Sequence, residues 1–306
     1  MAERIVINEV GLRDGLQNQP RILSTDAKIS LFDSLASAGL RDIELTSFVS
    51  PKAVPQLADA SDVLASVKDR PGFRLTCLVP NMRGYERAKA AGAKGIAVVL
   101  ATTETLNRKN INMSLAEATS VCEQVVDRAH RDGIFARAYI ATAFACPFEG
   151  AVAPEIVMQL AARMTQAGAD EIAIADTIGA AHPKEVRLLF DPLVREYGSD
   201  RIAAHFHDTR GLGSALAWAA LEAGVRRFDG SVAGLGGCPF APGASGNVAT
   251  EDLVFLFEGA GFDTGVNLDK LIDAVGKAND LIGGAHGGRI LPWYRSQRAK
   301  KSAAVA

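Results

Sequence analysis

The chain has 306 residues, of which 48% are apolar and 22% charged, and its formal net charge is −2. This is the profile of a globular protein, and the absence of a long basic run argues against an electrostatic nucleic-acid binder. No stretch approaches the roughly 18 apolar residues of a membrane span, and the first apolar run is too short for a signal peptide. We therefore expect a cytoplasmic protein without nucleic-acid or membrane partners, whose four widely spaced cysteines are free thiols.

Eight short apolar runs follow one another along the chain, and each is a candidate strand. They cover residues 5–10, 42–46, 73–79, 96–100, 134–141, 171–175, 202–206 and 228–233. A glycine precedes every run after the first, at positions 39, 72, 92, 133, 168, 198 and 224. Glycine just past the end of a helix is the usual left-handed cap, so each of these strands is expected to follow a helix.

The segments between the runs have helical periodicity. They cover residues 26–38, 59–69, 83–91, 114–131, 154–167, 183–197, 213–223 and 251–259, with a further helix at 267–282. In the first, Ile29, Phe32 and Leu35 share one face at spacings of three. The basic cluster at residues 295–301 is expected to be a solvated tail.

Strict alternation of strand and helix indicates parallel strands with right-handed crossovers. Eight such units favour the α/β class and a closed (β/α)8 TIM barrel with an additional C-terminal helical segment, over an open sheet. We expect one catalytic domain over residues 1–306, with residues 283–306 as a divergent tail. Active-site residues of such barrels lie at the C-terminal ends of the strands and in the loops that follow.

Two histidines, His205 and His207, end the seventh strand, and side chains two apart on a strand point to the same face. Asp14 follows the first strand, which neighbours the seventh and eighth in a barrel, and Asn247 follows the eighth. Two imidazoles with carboxylate and amide oxygens suit a catalytic divalent cation such as Mg²⁺ or Mn²⁺. The alternatives are unrelated histidines, a carboxylate that caps a turn, and an asparagine that caps a helix.

Charged residues accompany these candidate ligands. Arg13 could hold a substrate carboxylate or stabilise an oxyanion, or it could form a salt bridge with Glu44. Because Glu44 lies in an apolar strand, we favour an inner-barrel partner over a general base. Polar residues also fall at two further strands, namely Arg137 in the fifth and Asp176 with Thr177 at the end of the sixth.

Cys238 lies in a segment, residues 234–246, that is unusually rich in glycine. Such density of glycine suits a lid that closes on a substrate. A thiol on this lid could act as an acid, a base or a nucleophile. A small buried residue is the alternative.

Several motifs together resemble the 3-hydroxy-3-methylglutaryl-CoA lyase family over essentially the whole chain up to about residue 282. They are VGLRDGLQN at 10–18, ELTSFVSPK at 44–52, KNIN at 109–112, DTIG at 176–179, HFHDT at 205–209 and the glycine-rich segment 234–247. Isopropylmalate and homocitrate synthases and carboxyltransferase domains share the Arg-Asp start and the His-x-His pair, but not the cysteine-containing loop.

The resemblance implies roles for individual residues. It implies a metal site of Asp14, His205, His207 and Asn247. It implies catalytic parts for Arg13, Asp14, Glu44, His205 and Cys238, and matches Glu251 to a position important for activity. It also implies that the substrate is contacted by Arg13, Gln17, Lys109, Asn110, Arg137, Asp176 and Thr177. Lys109 and Asn110 would lie near the CoA moiety.

The activity implied is metal-dependent cleavage of 3-hydroxy-3-methylglutaryl-CoA into acetyl-CoA and acetoacetate by a retro-aldol step, in a homo-oligomer. Asp14, His205 or a water remains open as the base. Arg210, Leu212 and residues 283–294 depart from the family pattern near the substrate rim, so a lyase for a related 3-hydroxyacyl-CoA such as citramalyl-CoA is an alternative. A condensing acyltransferase of the isopropylmalate-synthase type and a catalytically inactive binding protein are further alternatives.

Overall fold

The eight predicted strands pair in parallel and close into a barrel in the computed structural model, which describes residues 2–237 and 246–305, with side chains up to residue 301. The strands are β1 (Val6–Glu9), β2 (Asp42–Ser47), β3 (Arg74–Leu78), β4 (Gly95–Ala101), β5 (Phe135–Ala141), β6 (Glu171–Asp176), β7 (Ile202–Phe206) and β8 (Arg227–Gly230). Their order around the barrel is β1-β8-β7-β6-β5-β4-β3-β2. The predicted TIM barrel is therefore confirmed, and β7, β8 and β1 are neighbours.

Helices surround the barrel and connect its strands. They are α1 (Thr25–Ala38), α2 (Ala60–Val67), α3 (Met82–Ala90), α4 (Glu104–Ile111), α5 (Leu115–Arg131), α6 (Pro154–Gln166), α7 (Pro183–Tyr197), α8 (Gly213–Glu222), α9 (Thr250–Gly259), α10 (Leu268–Ile282) and α11 (Leu291–Val305). The predicted start of α5 agrees with the structure, because Ser114 and Glu117 form a capping box there. At the end of α1, Gly39 has the positive φ of 108° that a left-handed cap requires.

Two helices were not predicted. In α4 only Leu106 and Ile111 are apolar, and two apolar residues are too few to give a clear 3.6-residue period. Residues 291–305 form α11, and the basic cluster at 295–301, predicted to be a solvated tail, lies on this helix and is largely exposed. Leu291 is buried, and the ring of Trp293 packs at 5.5 Å, edge to face, on Phe255 of α9. A short hairpin, Ala145–Cys146 with Gly150–Ala151, also follows β5.

The closed end of the barrel, at the N-terminal ends of its strands, is filled by ion pairs rather than by apolar side chains alone. Arg227 of β8 donates to Glu171 of β6 and, at 2.8 Å, to Asp42 of β2. These groups are largely buried, and buried charges persist when each has a partner. The ion pairs link three strands at the end opposite the candidate site.

The part of the chain that the structure describes contains no helix long and apolar enough to cross a membrane. Most of its apolar side chains form a shell between the strands and the surrounding helices. In that shell Phe257 of α9 is fully buried, and its ring centroid lies 4.7 Å from that of Phe228 in β8. This contact seats α9, whose first turn follows Asn247, against the last strand.

Replacing Phe257 with alanine is expected to lower the free energy of unfolding by about 3–5 kcal/mol, because a large cavity would open between β8 and α9. Leu188→Ala on α7 is the control. This residue is 64% exposed, and a loss of about 1 kcal/mol or less is expected. Urea unfolding of both variants measures the difference, and equal losses would contradict the packing described.

Candidate active site and metal centre

Three of the predicted metal ligands meet at the C-terminal mouth of the barrel. Asp14 lies on a π-helical turn, Gly11–Gly15, directly after β1, while His205 and His207 lie at the end of β7. One ligand atom from each residue can be chosen so that all lie within 4.8 Å of one another, and all three side chains are buried. The neighbouring positions of β7, β8 and β1 produce this cluster, as the strand order predicted.

Asn247, the fourth predicted ligand, lies beside the cluster. Its Nδ2 donates to Asp14 Oδ2 at 2.7 Å and to the carbonyl of Leu235 at 2.9 Å. Its buried Oδ1 has no hydrogen-bond partner among the described residues. The alternative that Asn247 caps a helix is wrong, because Ala249 is the N-cap of α9. An added Cβ on Gly236, whose φ is 118°, would collide with Asn247 Nδ2, so glycine is needed there.

The charge states of the cluster suit a cation. Burial lowers the pKa of His207 to about 4, so its imidazole is neutral near pH 7. Burial alone would raise the pKa of Asp14, but the adjacent positive charge of Arg13 is the largest of the contributions that outweigh burial and hold this pKa below its usual value. His207 Nδ1 and Asn247 Oδ1 are both buried without a hydrogen bond among the described residues. The neutral imidazole of His207, an ionised carboxylate and an unpartnered amide oxygen fit a divalent cation.

Arg13 joins the cluster to the barrel interior. Its Nη1 donates to Asp14 Oδ1 at 2.6 Å, while Nε and Nη2 contact Glu44 Oε2 at 2.8 and 2.6 Å. The tyrosine hydroxyl of Tyr139 also donates to that Glu44 oxygen at 3.3 Å. The salt bridge between Arg13 and Glu44 therefore forms, and Glu44 is an inner-barrel partner, the interpretation favoured over a general base.

Three further predicted substrate contacts lie in the segments that follow β1 and β4. Gln17 donates from Nε2 to Asp14 Oδ1 at 3.0 Å, which places it at the candidate metal ligand. Lys109 and Asn110 lie in the last turn of α4 and are exposed. The ammonium group of Lys109 lies 4.6 Å from the ring centroid of Phe148, on the hairpin that follows β5.

The predicted substrate-binding residues at the end of β6 accept hydrogen bonds from backbone amides. The carboxylate of Asp176, fully buried, accepts hydrogen bonds from the amides of Ala180 and Ala181 at 2.9 and 2.8 Å. Thr177 Oγ1 accepts one from the amide of Thr142 at 2.8 Å. Both side chains thus shape loops at the mouth, and their contact with substrate stays a prediction.

Arg137, also predicted to bind substrate, lies deep in the barrel. Its Nη2 donates to Asp229 of β8 at 2.7 Å, and its Nε lies 3.1 Å from Glu171 Oε1. Only 2% of the residue is exposed. The guanidinium pairs with two carboxylates, and the sequence did not predict these ion pairs.

Two buried carboxylates at the site, those of Glu9 and Asp229, were not predicted from the sequence. Glu9 accepts hydrogen bonds from the amides of Gly11 and Val232 and from the hydroxyl of Thr250, at 2.7–2.9 Å. It thereby fastens the turn that carries Asp14 to the segments on either side of the glycine-rich loop. Asp229 contacts His205. An acidic residue inside a predicted strand was the available signal in both cases.

Two further residues hold the loops around the mouth. Glu251 accepts from the amides of Gly288 and Ala233 at 2.6 and 3.2 Å, which ties residues 283–290 to the start of α9. Arg210, flagged as a departure from the family pattern, donates to the carbonyls of Ile178 and Gly179. Cys238, the predicted catalytic thiol, lies outside the described residues.

A closed (β/α)8 barrel with this cluster of one carboxylate and two imidazoles at its mouth defines the chain as a metal-dependent barrel enzyme. Residues 4–276 match the HMGL-like family. The chain is 45% identical to the hydroxymethylglutaryl-CoA lyase of Pseudomonas mevalonii, covering 94% of this chain and 95% of that protein.

Two solved structures extend the comparison. The HMG-CoA lyase of Bacillus subtilis is 42% identical with a TM-score of 0.91, covering 96% of this chain and 98% of that one. An HMG-CoA lyase from Acinetobacter baumannii, solved in complex with coenzyme A and 3-methylmalate, is 38% identical with a TM-score of 0.90, covering 94% and 93%. The chain belongs to the hydroxymethylglutaryl-CoA lyase family, a family of metal-dependent lyases.

Glu9→Gln is expected to change how stability depends on pH. Burial raises the pKa of Glu9 from 4.5 to about 7, so the folded protein retains a proton that the unfolded chain releases. Stability of the wild type should therefore fall, relative to the variant, as pH rises from 5 to 8. Glutamine can accept from the two amides with Oε1 and donate from Nε2 to the Thr250 hydroxyl.

Urea midpoints at four pH values within this window measure the effect. Glu155→Gln, at an exposed position of α6, is the control. Parallel curves for wild type and the Glu9 variant would contradict the raised pKa.

Proposed function

We propose that this chain cleaves 3-hydroxy-3-methylglutaryl-CoA into acetyl-CoA and acetoacetate, with Mg²⁺ or Mn²⁺ as the cofactor. The observation that carries the proposal is the buried cluster of Asp14, His205 and His207, with Arg13 bonded directly to the carboxylate. The relatives that share the fold at 38–45% identity are named as lyases for this thioester. The A. baumannii relative, in complex with coenzyme A, supports an acyl-CoA as the substrate.

Asp14, His205, His207 and Asn247 would hold the cation. Oxygen and imidazole ligands in this mixture suit Mg²⁺ or Mn²⁺. When bound, the cation supplies Lewis-acid polarisation of substrate oxygens and a template that orients them.

The reaction begins with removal of the proton from the tertiary hydroxyl of the substrate. The bond between the carbinol carbon and the adjacent methylene of the thioester then breaks, and the carbinol becomes the ketone of acetoacetate. The electron pair passes to the thioester as the enolate of acetyl-CoA, which a proton donor converts to the methyl group. Asp14, His205 or a water serves as the base, and Cys238 or a water as the proton donor.

Arg13 is suited to the negative charge that develops in this step. A guanidinium has five N–H donors, and three of them point to Asp14 and Glu44. The remaining donors are available to a substrate oxygen. Because Arg13 is held on two sides and is only 7% exposed, it acts as a preorganised charge in a site with little water, where such stabilisation is strongest.

Asp14→Asn and His207→Ala are each expected to lower metal-dependent release of acetyl-CoA by at least about a thousandfold, because both remove a ligand at the centre of the site. A coupled assay of acetyl-CoA with Mg²⁺ or Mn²⁺ measures the loss, and a chelator should abolish wild-type activity reversibly. Asp191→Asn, on α7 with a side chain that is 47% exposed, should remain fully active. Substantial activity in either ligand variant would contradict the proposed metal centre.

Arg13→Lys is expected to lower kcat by about 10²–10³-fold, the usual loss when one preorganised donor is removed. Lysine keeps the charge but cannot contact Asp14 and Glu44 together in the planar geometry of arginine. Steady-state kinetics would show the loss mainly in kcat, with a smaller change in KM. A variant that changes only KM would assign Arg13 to substrate binding alone.

The same assay, run on a panel of 3-hydroxyacyl-CoA thioesters, identifies the acyl group that the enzyme prefers in its substrate. Cleavage of another thioester in preference to 3-hydroxy-3-methylglutaryl-CoA would overturn the named substrate and keep the reaction type. Cytoplasmic location and a homo-oligomeric state remain predictions.

A further inference from the structure

Asp229, in β8, lies directly beneath the candidate metal centre and is 2% exposed. Its Oδ2 lies 2.9 Å from His205 Nδ1. Its Oδ1 accepts hydrogen bonds from Asn8 Nδ2 at 3.0 Å and from Arg137 Nη2 at 2.7 Å. Groups from β1, β5 and β7 thus converge on one carboxylate.

The partners of Asp229 define which atom of the His205 contact carries the proton. A guanidinium and an amide NH₂ can only donate, and Arg137 is a permanent cation beside the carboxylate. The anionic form of Asp229 is therefore the one its surroundings favour, and an anionic carboxylate can only accept. The hydrogen between Asp229 Oδ2 and His205 Nδ1 then belongs to the histidine, so Nε2 is the ring nitrogen left to coordinate a cation.

The ring of His205 is also held from the side. The ring of Tyr139 meets it edge to face, with centroids 5.7 Å apart and an interplanar angle of 84°. Tyr139 in turn lies under the guanidinium of Arg137, 4.7 Å from the ring centroid. Rotation of the imidazole would break both the carboxylate contact and this packing.

His207, the other imidazole, has a different environment. Its buried Nδ1 has no hydrogen-bond partner in residues 2–237 and 246–301. The two histidines therefore differ in how firmly their tautomer is defined, although they lie side by side with ring centroids 5.3 Å apart.

We propose that Asp229 is a positioning residue that holds His205 in the Nδ1-protonated tautomer, so that Nε2 presents its lone pair to the divalent cation. Asn8 and Arg137 orient Asp229 for this task. Partners of this kind orient a ligating histidine and raise its basicity. The proposal rests on the metal centre of the proposed function, and it assigns Arg137 to the support of that centre rather than to substrate.

Asp229→Asn tests the proposal with little change in shape. The new amide can accept from Arg137 and Asn8 through Oδ1, and its NH₂ would then face His205 Nδ1. A donor in that place favours the other tautomer, with the proton on Nε2 and the lone pair turned away from the cation. We expect Mn²⁺ affinity to fall about 10–100-fold, the usual effect of losing such a partner.

The affinity is measured by electron paramagnetic resonance of free Mn²⁺ in titrations of metal-free protein. Asp42→Asn is the matched control, because Asp42 also pairs with a buried arginine, Arg227, but at the opposite end of the barrel. Its Mn²⁺ affinity should stay within about threefold of the wild type. If Asp229→Asn also stays within threefold, the role assigned to Asp229 is wrong.

A second measurement needs no variant at Asp229. In metal-free wild-type protein labelled with ¹⁵N-histidine, the five histidines can be assigned with single His→Gln variants. His205 should show a protonated Nδ1 and an unprotonated Nε2, and the reverse pattern overturns the proposal even if Asp229→Asn fails to fold. Wild-type protein that binds no Mn²⁺ would overturn the metal centre of the proposed function, whereas binding that Asp229→Asn leaves unchanged overturns only the inference.

Discussion

Compensation of buried charge is the constraint on which the interior of this barrel depends. Carboxylates and guanidinium groups enclosed by β-strands are tolerated only when each has a partner. Arg13 is held between Asp14 and Glu44, Arg137 between Asp229 and Glu171, and Arg227 between Glu171 and Asp42. These pairs form a column from the closed end of the barrel to its mouth. The candidate ligands at the top are consequently held by the same contacts that fill the interior.

The positions of the loops follow from a second set of carboxylates. Glu9 binds the turn after β1 to the segments around the glycine-rich loop, and Glu251 binds residues 283–290 to α9. Asp176 holds the loop after β6. Each accepts backbone amides that would otherwise be buried without a partner. Strand ends that carry chemistry are thereby fixed by neighbours that do not themselves touch the candidate metal centre.

Hydrophobic periodicity and the positions of glycine were sufficient to predict all eight strands, because a buried parallel strand bounded by glycine has a strong local signal. The strand order of a closed barrel was then enough to predict that Asp14 lies near His205 and His207. Local pattern could not identify Asp229 as the partner of His205, since that contact depends on register between β7 and β8. It also missed α4, whose polar sequence lacks a clear apolar face, and α11, which packs through Trp293 on a distant helix.

The central claim is that the cluster of Asp14, His205 and His207 binds the one cation on which carbon–carbon cleavage depends. The most direct test titrates metal-free protein with Mn²⁺ and records bound metal and acetyl-CoA formation in the same samples. We expect no cleavage without metal, and activity that rises with bound Mn²⁺ and saturates at about one ion per chain. Cleavage of 3-hydroxy-3-methylglutaryl-CoA by metal-free protein, or bound Mn²⁺ that leaves the rate unchanged, would contradict it.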